Sequence, residues 1–321
     1  MKKILFDTDL GDDCDDVLAL DLLLAANRFG ECELTGITYS SICRNSPSCI
    51  HAITSYYGMG NIPIGRMTIP ENTKNGKDYY ATAVTERFTG KDAPTYATSL
   101  DAVKLLRKLL VENGHSTIAV TGYMTNIAAL LQSEADEYSP LSGMELVLET
   151  VDEFAVMGCD FAHQDALNLR VRGVDENNDA VIIPEWNIIG DIAAAQYMFR
   201  YSPVPIVVSP YSVGYKMCTG APMVHVGRGE TPDSLSFILR NFPEGRDSFD
   251  PATVLYAIYG AKPWFYRSVP GEVTILDDGT SFFSTINGGN TRVLGCAMSK
   301  ESIAKDIDDK VMRIAKQRNM E

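Results

Sequence analysis

The sequence predicts an α/β fold: an open, mostly parallel sheet flanked by helices on a Rossmann-like core, closing in an irregular C-terminal third. Three observations predict it. Short β-type runs alternate with helix-length amphipathic runs from the first residues onward, the signature of parallel strands joined by crossover helices. The helical runs carry clear stripes, as in 100–111, where apolar residues fall at 102, 103, 105, 106, 109 and 110. No linker, repeat or low-complexity stretch divides the 321 residues, so they read as a single domain, 1–321.

Taken in order, Ile4-Leu5-Phe6 reads as the first strand and 17–27 as the first helix. A strand over 34–39, a helix around 50–57 and a short strand at 62–64 follow. After the striped helix come a strand at 117–121, a helical turn at 126–131 and a strand at 154–157. The pattern continues with a helix at 192–199 and a strand at 206–208, then breaks into mixed helix and loop from about 214 to 250. A helix over 251–259 carries Pro251 in the first turn, where proline is tolerated. Hairpin-like strands over 272–298, turning at Asp278-Gly279 and Gly288-Gly289, precede a last helix over 299–316 with Ser299 as its cap. In such a sheet, ligands sit beyond the carboxyl ends of the strands, so chemistry is expected at 7–16, 39–47, 121–126, 158–187, 209–216 and near 250.

Hydrophobic residues make up 45% and charged residues 22%, ordinary for a globular protein. A formal net charge of −14 argues against a nucleic-acid surface, which needs basic stripes, and would repel anionic membranes. The bland reading of that charge is solubility. No run approaches the ~18–20 apolar residues of a membrane helix, and the apolar start gives way to Asp7 too soon for a signal peptide. Seven scattered cysteines without a CxxC read as free thiols, and the expected compartment is cytoplasmic.

The densest chemical signal is Asp7-Thr8-Asp9-Leu10-Gly11-Asp12-Asp13-Cys14-Asp15-Asp16. Six carboxylates in ten residues repel one another unless a cation neutralises them or some face water. Hard divalent cations with oxygen ligands are the natural partners. Asp15 and Asp16 alone would suit a helix N-terminus, but that does not account for Asp7 and Asp9. An EF-hand is excluded, because a strand enters the loop and the closing bidentate Glu is missing.

The run from Ile4 to Gly11, followed by Asp15-Asp16 and an apolar helix, resembles the DxDxGxDD opening of the inosine–uridine nucleoside hydrolase family. Three further segments are similar, in the family's order: 120–128 (VTGYMTNIA), Pro184-Glu185-Trp186-Asn187, and Asp250-Pro251. Three residues (Asp12, Asp13, Cys14) separate Gly11 from the aspartate pair, where the family usually has one. Matching the apolar helix selects Asp15/Asp16; matching the spacing from Asp9 leaves Asp13 as a possible ligand.

The resemblance implies calcium-dependent hydrolysis of a ribonucleoside to ribose and free base, in purine or pyrimidine salvage, by a homodimer or homotetramer. Asp9 would be both metal ligand and general base, and Asp16 a bidentate ligand, with the Thr121 carbonyl and the Asp250 carboxylate completing the protein set. Asp15 and Asn187 would grip the ribose hydroxyls, with Glu185 and Asn45 as further sugar contacts. Each segment also has a plain structural reading: Asn126 or Asp250 as a helix cap, and Glu185-Trp186-Asn187 as an ordinary helix start with Trp186 in the core.

Where the family carries a His before the C-terminal Asp to serve the leaving base, this chain has Phe249. Help for the base must then come from elsewhere. His163 is one source, with a surface histidine as its rival reading. Stacking on Trp186 or Phe249 is a second, and would bring a purine preference. A hydroxyl of Tyr39, Tyr211 or Tyr215 is a third. His51 and His115 fall away from the expected site. Two further functions stay open. Phe249 favours a calcium-dependent nucleoside- or ribose-binding protein without catalysis. An aspartyl phosphohydrolase shares the Asp7-x-Asp9 strand end, but has Gly11 where it needs a hydroxyl.

Overall fold

The computed structural model describes residues 1–11, 13–68, 78–161, 173–174, 180–181 and 184–318. The first half of the chain alternates strand and helix. It runs through β1 (Lys3–Thr8), α1 (Asp15–Arg28), β2 (Glu33–Tyr39), α2 (Ser46–Tyr56), β3 (Ile64–Arg66), α3 (Ala81–Phe88), β4 (Leu100–Asp101) and α4 (Ala102–Asn113). Next come β5 (Ser116–Val120), α5 (Thr125–Gln132), α6 (Gly143–Thr150), β6 (Val151–Met157) and the small pair β7 (Gly173–Val174) and β8 (Ala180–Val181). The second half holds α7 (Trp186–Gly190), α8 (Ile192–Tyr201), β9 (Ile206–Ser209), α9 (Tyr211–Gly214), β10 (Cys218–Thr219), α10 (Ala221–Gly227), α11 (Pro232–Leu239) and β11 (Arg246–Asp247). It closes with α12 (Phe249–Tyr259), β12 (Phe265–Arg267), β13 (Gly271–Ile275), β14 (Ser281–Thr285), β15 (Thr291–Cys296) and α13 (Lys300–Arg318).

The main sheet runs β14-β13-β15-β9-β6-β5-β1-β2-β3-β4, with β12 beside β15. From β4 through β1 to β9 and β15 every pairing is parallel. The period-two alternation of the strands divides the core in two. Ile4, Phe6, Ala119 and Ala155 face one cluster with α1 and α12, while Leu5, Ile118, Val120, Phe154 and Val156 face the other with α4 and α5. The leucine, isoleucine, valine and phenylalanine side chains among these contribute roughly 1.5–3 kcal/mol each through removal from water. Helix α1 is apolar almost all round, as a helix must be that packs between the sheet, α12 and α13.

The open, mostly parallel sheet flanked by helices is the expected architecture, and its differences from expectation lie mainly at the C-terminal end. The first turn, at Asp278-Gly279, does join a hairpin, β13 to β14. The second does not: after Gly288-Gly289 the chain passes the start of β13, and β15 pairs parallel with β9. The final third therefore extends the main sheet rather than lying beside it. Helix α2 begins at Ser46, four residues before the expected start, with Pro47 in its first turn. Helix α12 starts directly after Ser248, so Asp250 sits inside the first turn instead of preceding it. No helix among the described residues is long and apolar enough to cross a membrane.

Candidate active site

Strands β2, β3 and β4 run outward on one side of β1, whereas β5, β6 and β9 run outward on the other. The chain thus reverses direction between β1 and β5, and a crevice opens beyond their carboxyl ends. The two ends are held tightly together: Asp7 lies opposite Val120, and the Thr121 main-chain nitrogen donates to the Asp7 carbonyl at 2.7 Å. A Cβ on Gly122 would stand 2.5 Å from the Asp9 nitrogen, so only glycine lets this loop approach the acidic one so closely.

Three buried carboxylates meet in that crevice. One oxygen from each of Asp9, Asp16 and Asp250 lies within 4.8 Å of the other two. Asp16 and Asp250 occupy the first turns of α1 and α12, which pack against each other, so two helix N-termini aim their partial positive charge at the cluster. Thr8 Oγ1 donates to Asp16 Oδ1 and steadies it. Asp15 joins the two helices: its Oδ2 accepts the main-chain N–H groups of Phe249 and Asp250, each at 3.1 Å. Burial, then the charges of Asp13 and Asp16, push the Asp15 carboxyl well above its ordinary range. Burial and the charges of Asp15, Asp16 and Asp9 do the same to Asp250.

Hydrogen bonds to two helix ends do not offset that much buried negative charge, and a cation would. The donors present, carboxylate oxygens beside the Thr121 residue that lines the same cavity, are those of a hard divalent ion, so the residues fit a calcium-type site. Among the described residues no other such group of three comes together.

The cavity has a volume of about 310 Å³, at the lower end of small-molecule sites, with a floor and two facing walls. The triad forms the floor. One wall carries Met157, Glu185, Trp186 and Asn187. Asn187 Nδ2 donates to the carbonyls of Thr121 at 2.8 Å and Met157 at 3.3 Å, tying β5 to β6. Glu185 caps α7 by accepting the main-chain N–H groups of Asn187 and Ile188, so the plain structural reading of this segment holds together with its place at the cavity. Trp186 is not core; it is 48% exposed at the rim.

The opposite wall carries Tyr211, Arg240, Arg246 and Phe249. Phe249 stacks on Tyr211 at 4.9 Å between ring centres, and Tyr211 on Tyr215 at 5.4 Å. A Cβ on Gly214 would lie 2.5 Å from the Phe249 Cα, so that glycine permits α9 to pack this closely. Asp13 also faces the cavity but stands apart from the triad: its carboxylate takes the guanidinium of Arg246, with Nη2 donating at 2.8 Å.

Other sequence candidates lie elsewhere. Asn45 donates to Asp78 and Thr82 and does not line the cavity. Asn126 is no helix cap; it donates to Asp7 Oδ2 at 2.7 Å and to the Tyr39 carbonyl at 3.0 Å, pinning β1 to β2. Asp7 points into the protein, where burial lifts its carboxyl to about 7 against the opposing hydrogen bonds of Thr38, Asn126 and Ser40. That orientation does not suit an aspartyl nucleophile. Of the three tyrosines only Tyr211 lines the cavity. His51 meets Ser55, His115 meets Asp152, His225 lies near Glu244, and His163 falls outside the described residues. Sequence reading missed Met157, Arg240 and Arg246. The two arginines come from the stretch without periodicity, and no local pattern marks them.

Comparison with curated protein sequences gives no match. Among solved structures, a plant nucleoside hydrolase superposes with a TM-score of 0.69 at 18% identity, covering 97% of this chain and 98% of that one. An inosine-uridine preferring nucleoside hydrolase from Bacillus anthracis gives 0.68 at 16% identity, over 99% and 100%. A purine-preferring ribonucleoside hydrolase from Gardnerella vaginalis gives 0.67 at 18%, over 98% and 99%. At these identities the likeness establishes the fold. The family model described as inosine-uridine preferring nucleoside hydrolase matches residues 4–309, nearly the whole chain, and the chain belongs to that family.

Proposed function

We propose that this nucleoside hydrolase cleaves the N-glycosidic bond of ribonucleosides with calcium held by Asp9, Asp16, Asp250 and the Thr121 carbonyl. The observation that carries the reading is the convergence of three buried carboxylates from three separate segments at the reversal point of the sheet. A divalent ion there would supply the charge that acidifies a water and orients the sugar hydroxyls. Asp9 takes the proton of the attacking water, whose oxygen bonds to the anomeric carbon as the base departs with the bond's electron pair. Asp15, Glu185 and Asn187 hold the ribose, while Phe249 and Trp186 offer flat surfaces to the base, which favours purines.

Asn45 has no part in this assignment, given its contacts with Asp78 and Thr82. The unpaired state of the seven cysteines supports a reducing, cytoplasmic setting. A role in nucleoside salvage and assembly as a homodimer or homotetramer rest on the family resemblance.

The test is ribose release from a panel of purine and pyrimidine nucleosides, with and without exhaustive chelation. Release that depends on calcium and disappears in Asp9→Asn supports the reading; undiminished release after calcium removal sinks the metal mechanism. A second reading is favoured by the phenylalanine before Asp250: a calcium-dependent nucleoside- or ribose-binding protein. Tight nucleoside binding with no turnover anywhere in the panel would establish it.

A further inference from the structure

Two departures from the family pattern meet in space. The lengthened acidic loop supplies Asp13, and the position before Asp250 supplies Phe249. Arg246 joins them. Its Nε lies 3.2 Å from both Asp13 oxygens and its Nη2 2.8 Å from Oδ2, a forked contact that fixes the plane of the guanidinium. The Arg246 Cζ stands 5.5 Å from the centre of the Phe249 ring and 4.9 Å from that of Phe242. Asp247 adds a longer contact at 3.9 Å. Arg240 shares the wall, 3.9 Å over the Tyr79 ring, but Arg246 is the guanidinium over Phe249. A permanent cation is therefore held over the Phe249 ring, on the cavity wall that a flat base would meet.

We propose that Arg246 stabilises the departing base in place of the missing histidine, with Asp13 as its positioning residue; this rests on the hydrolase reading above. An arginine does not give up its proton near neutral pH, so its contribution is electrostatic. As the bond from the anomeric carbon to the base nitrogen breaks, its electron pair remains on the base. The guanidinium donates a hydrogen bond to the base atom that carries the developing negative charge. The attacking water bonds to the anomeric carbon and gives its proton to Asp9. The anionic base afterwards takes a proton from solvent, so Arg246 ends the step unchanged.

The experiment compares two leaving groups in the calcium-loaded enzyme: inosine, whose base needs help to leave, and 4-nitrophenyl β-ribofuranoside, whose phenolate does not. Arg246→Met is expected to lower kcat/KM on inosine roughly 10²–10³-fold, the scale for loss of one preorganised charge-stabilising donor. The loss on the nitrophenyl riboside is expected to be at least about tenfold smaller on the same grounds. Arg246→Lys, which keeps the charge, should recover part of the inosine activity, and Asp13→Asn should show the same split in weaker form. Equal losses on both substrates, or no loss on inosine, would overturn the assignment, the first pointing to a structural role. Failure of the wild-type enzyme to release ribose from either substrate overturns the hydrolase reading and this inference with it.

Discussion

The Oδ2 of Asp15 lies 3.1 Å from the main-chain nitrogen of Phe249, and one carboxylate of α1 thereby closes the first turn of α12. The same oxygen reaches the nitrogen of Asp250, so the contact satisfies two of the donors that a helix start leaves unpaired. Asp15→Ala should cost about 1–2 kcal/mol of stability, the range for loss of a capping carboxylate, measured by urea denaturation. Because the freed turn carries Asp250, calcium affinity should fall as well. An isotherm for calcium unchanged from wild type would show that the contact does not position Asp250.

The triad predicts a conflict between stability and function. Without a cation, Asp9, Asp16 and Asp250 oppose one another; on the proposed reading, a cation turns that opposition into binding. Asp250→Asn should therefore raise the melting temperature of the chelated protein and abolish the further rise that calcium produces in the wild type. Ligand-linked stabilisation of about 2.7 kcal/mol is expected in the wild type at a hundredfold excess over Kd. Differential scanning calorimetry with and without calcium reads both effects. A variant that still gains the full calcium-induced rise would remove Asp250 from the ligand set.

Gly122→Ala tests how closely the two loops must approach. The added methyl would meet the Asp9 nitrogen at 2.5 Å and the Thr8 carbonyl carbon at 2.7 Å, both backbone atoms that cannot swing aside. Overpacking of this kind typically costs about 1–3 kcal/mol. Displacement of Asp9 should also reduce turnover more than nucleoside affinity, which steady-state kinetics beside equilibrium binding will resolve.

Asp21 does not line the cavity; it is fully buried in α1, and neither carboxylate oxygen has a hydrogen-bond partner among the described residues. Burial, and then the charge of Asp233, hold its carboxyl well above the ordinary range. The folded state therefore binds a proton that the unfolded chain has already released. Its contribution is complete below the unfolded value of about 3.9 and is lost as pH rises toward the folded one. Asp21→Leu should be more stable than wild type by about 1–3 kcal/mol at neutral pH, the cost of an unsatisfied buried polar group. That advantage should shrink as the buffer is taken toward pH 4, in denaturation series at matched ionic strength. An advantage that grows on acidification would contradict the assignment.

The alternation of short apolar runs with helical stripes makes most of the parallel sheet legible, because both periods are local. The acidic loop is legible for the same reason: its charges crowd into ten consecutive residues. The start of helix α6 is legible too, because Ser142 and Glu145 form the capping box that marks it. Strands of two residues, such as β4 and β11, are too short to show any period. Arg246 and Asp13 belong to another category, since they are 233 residues apart and nothing in either neighbourhood announces the other. Phe249 shows in the sequence as the loss of an acid, but only the folded chain reveals which cation stands beside it.

The junction of α1 with α12 also orders events during synthesis. A nascent chain folds from its N-terminus, so the crevice between β1 and β5 can form while its acidic loop still lacks its closing partner. Asp250 trails Asp15 by 235 positions and so emerges long after the loop it completes. A product terminated before residue 246 could assemble most of the sheet and still lack the third carboxylate, the cap of Asp15 on α12 and the guanidinium over Phe249. The protein is thus built so that its site is finished late, and a copy that stops before α12 is a scaffold without chemistry.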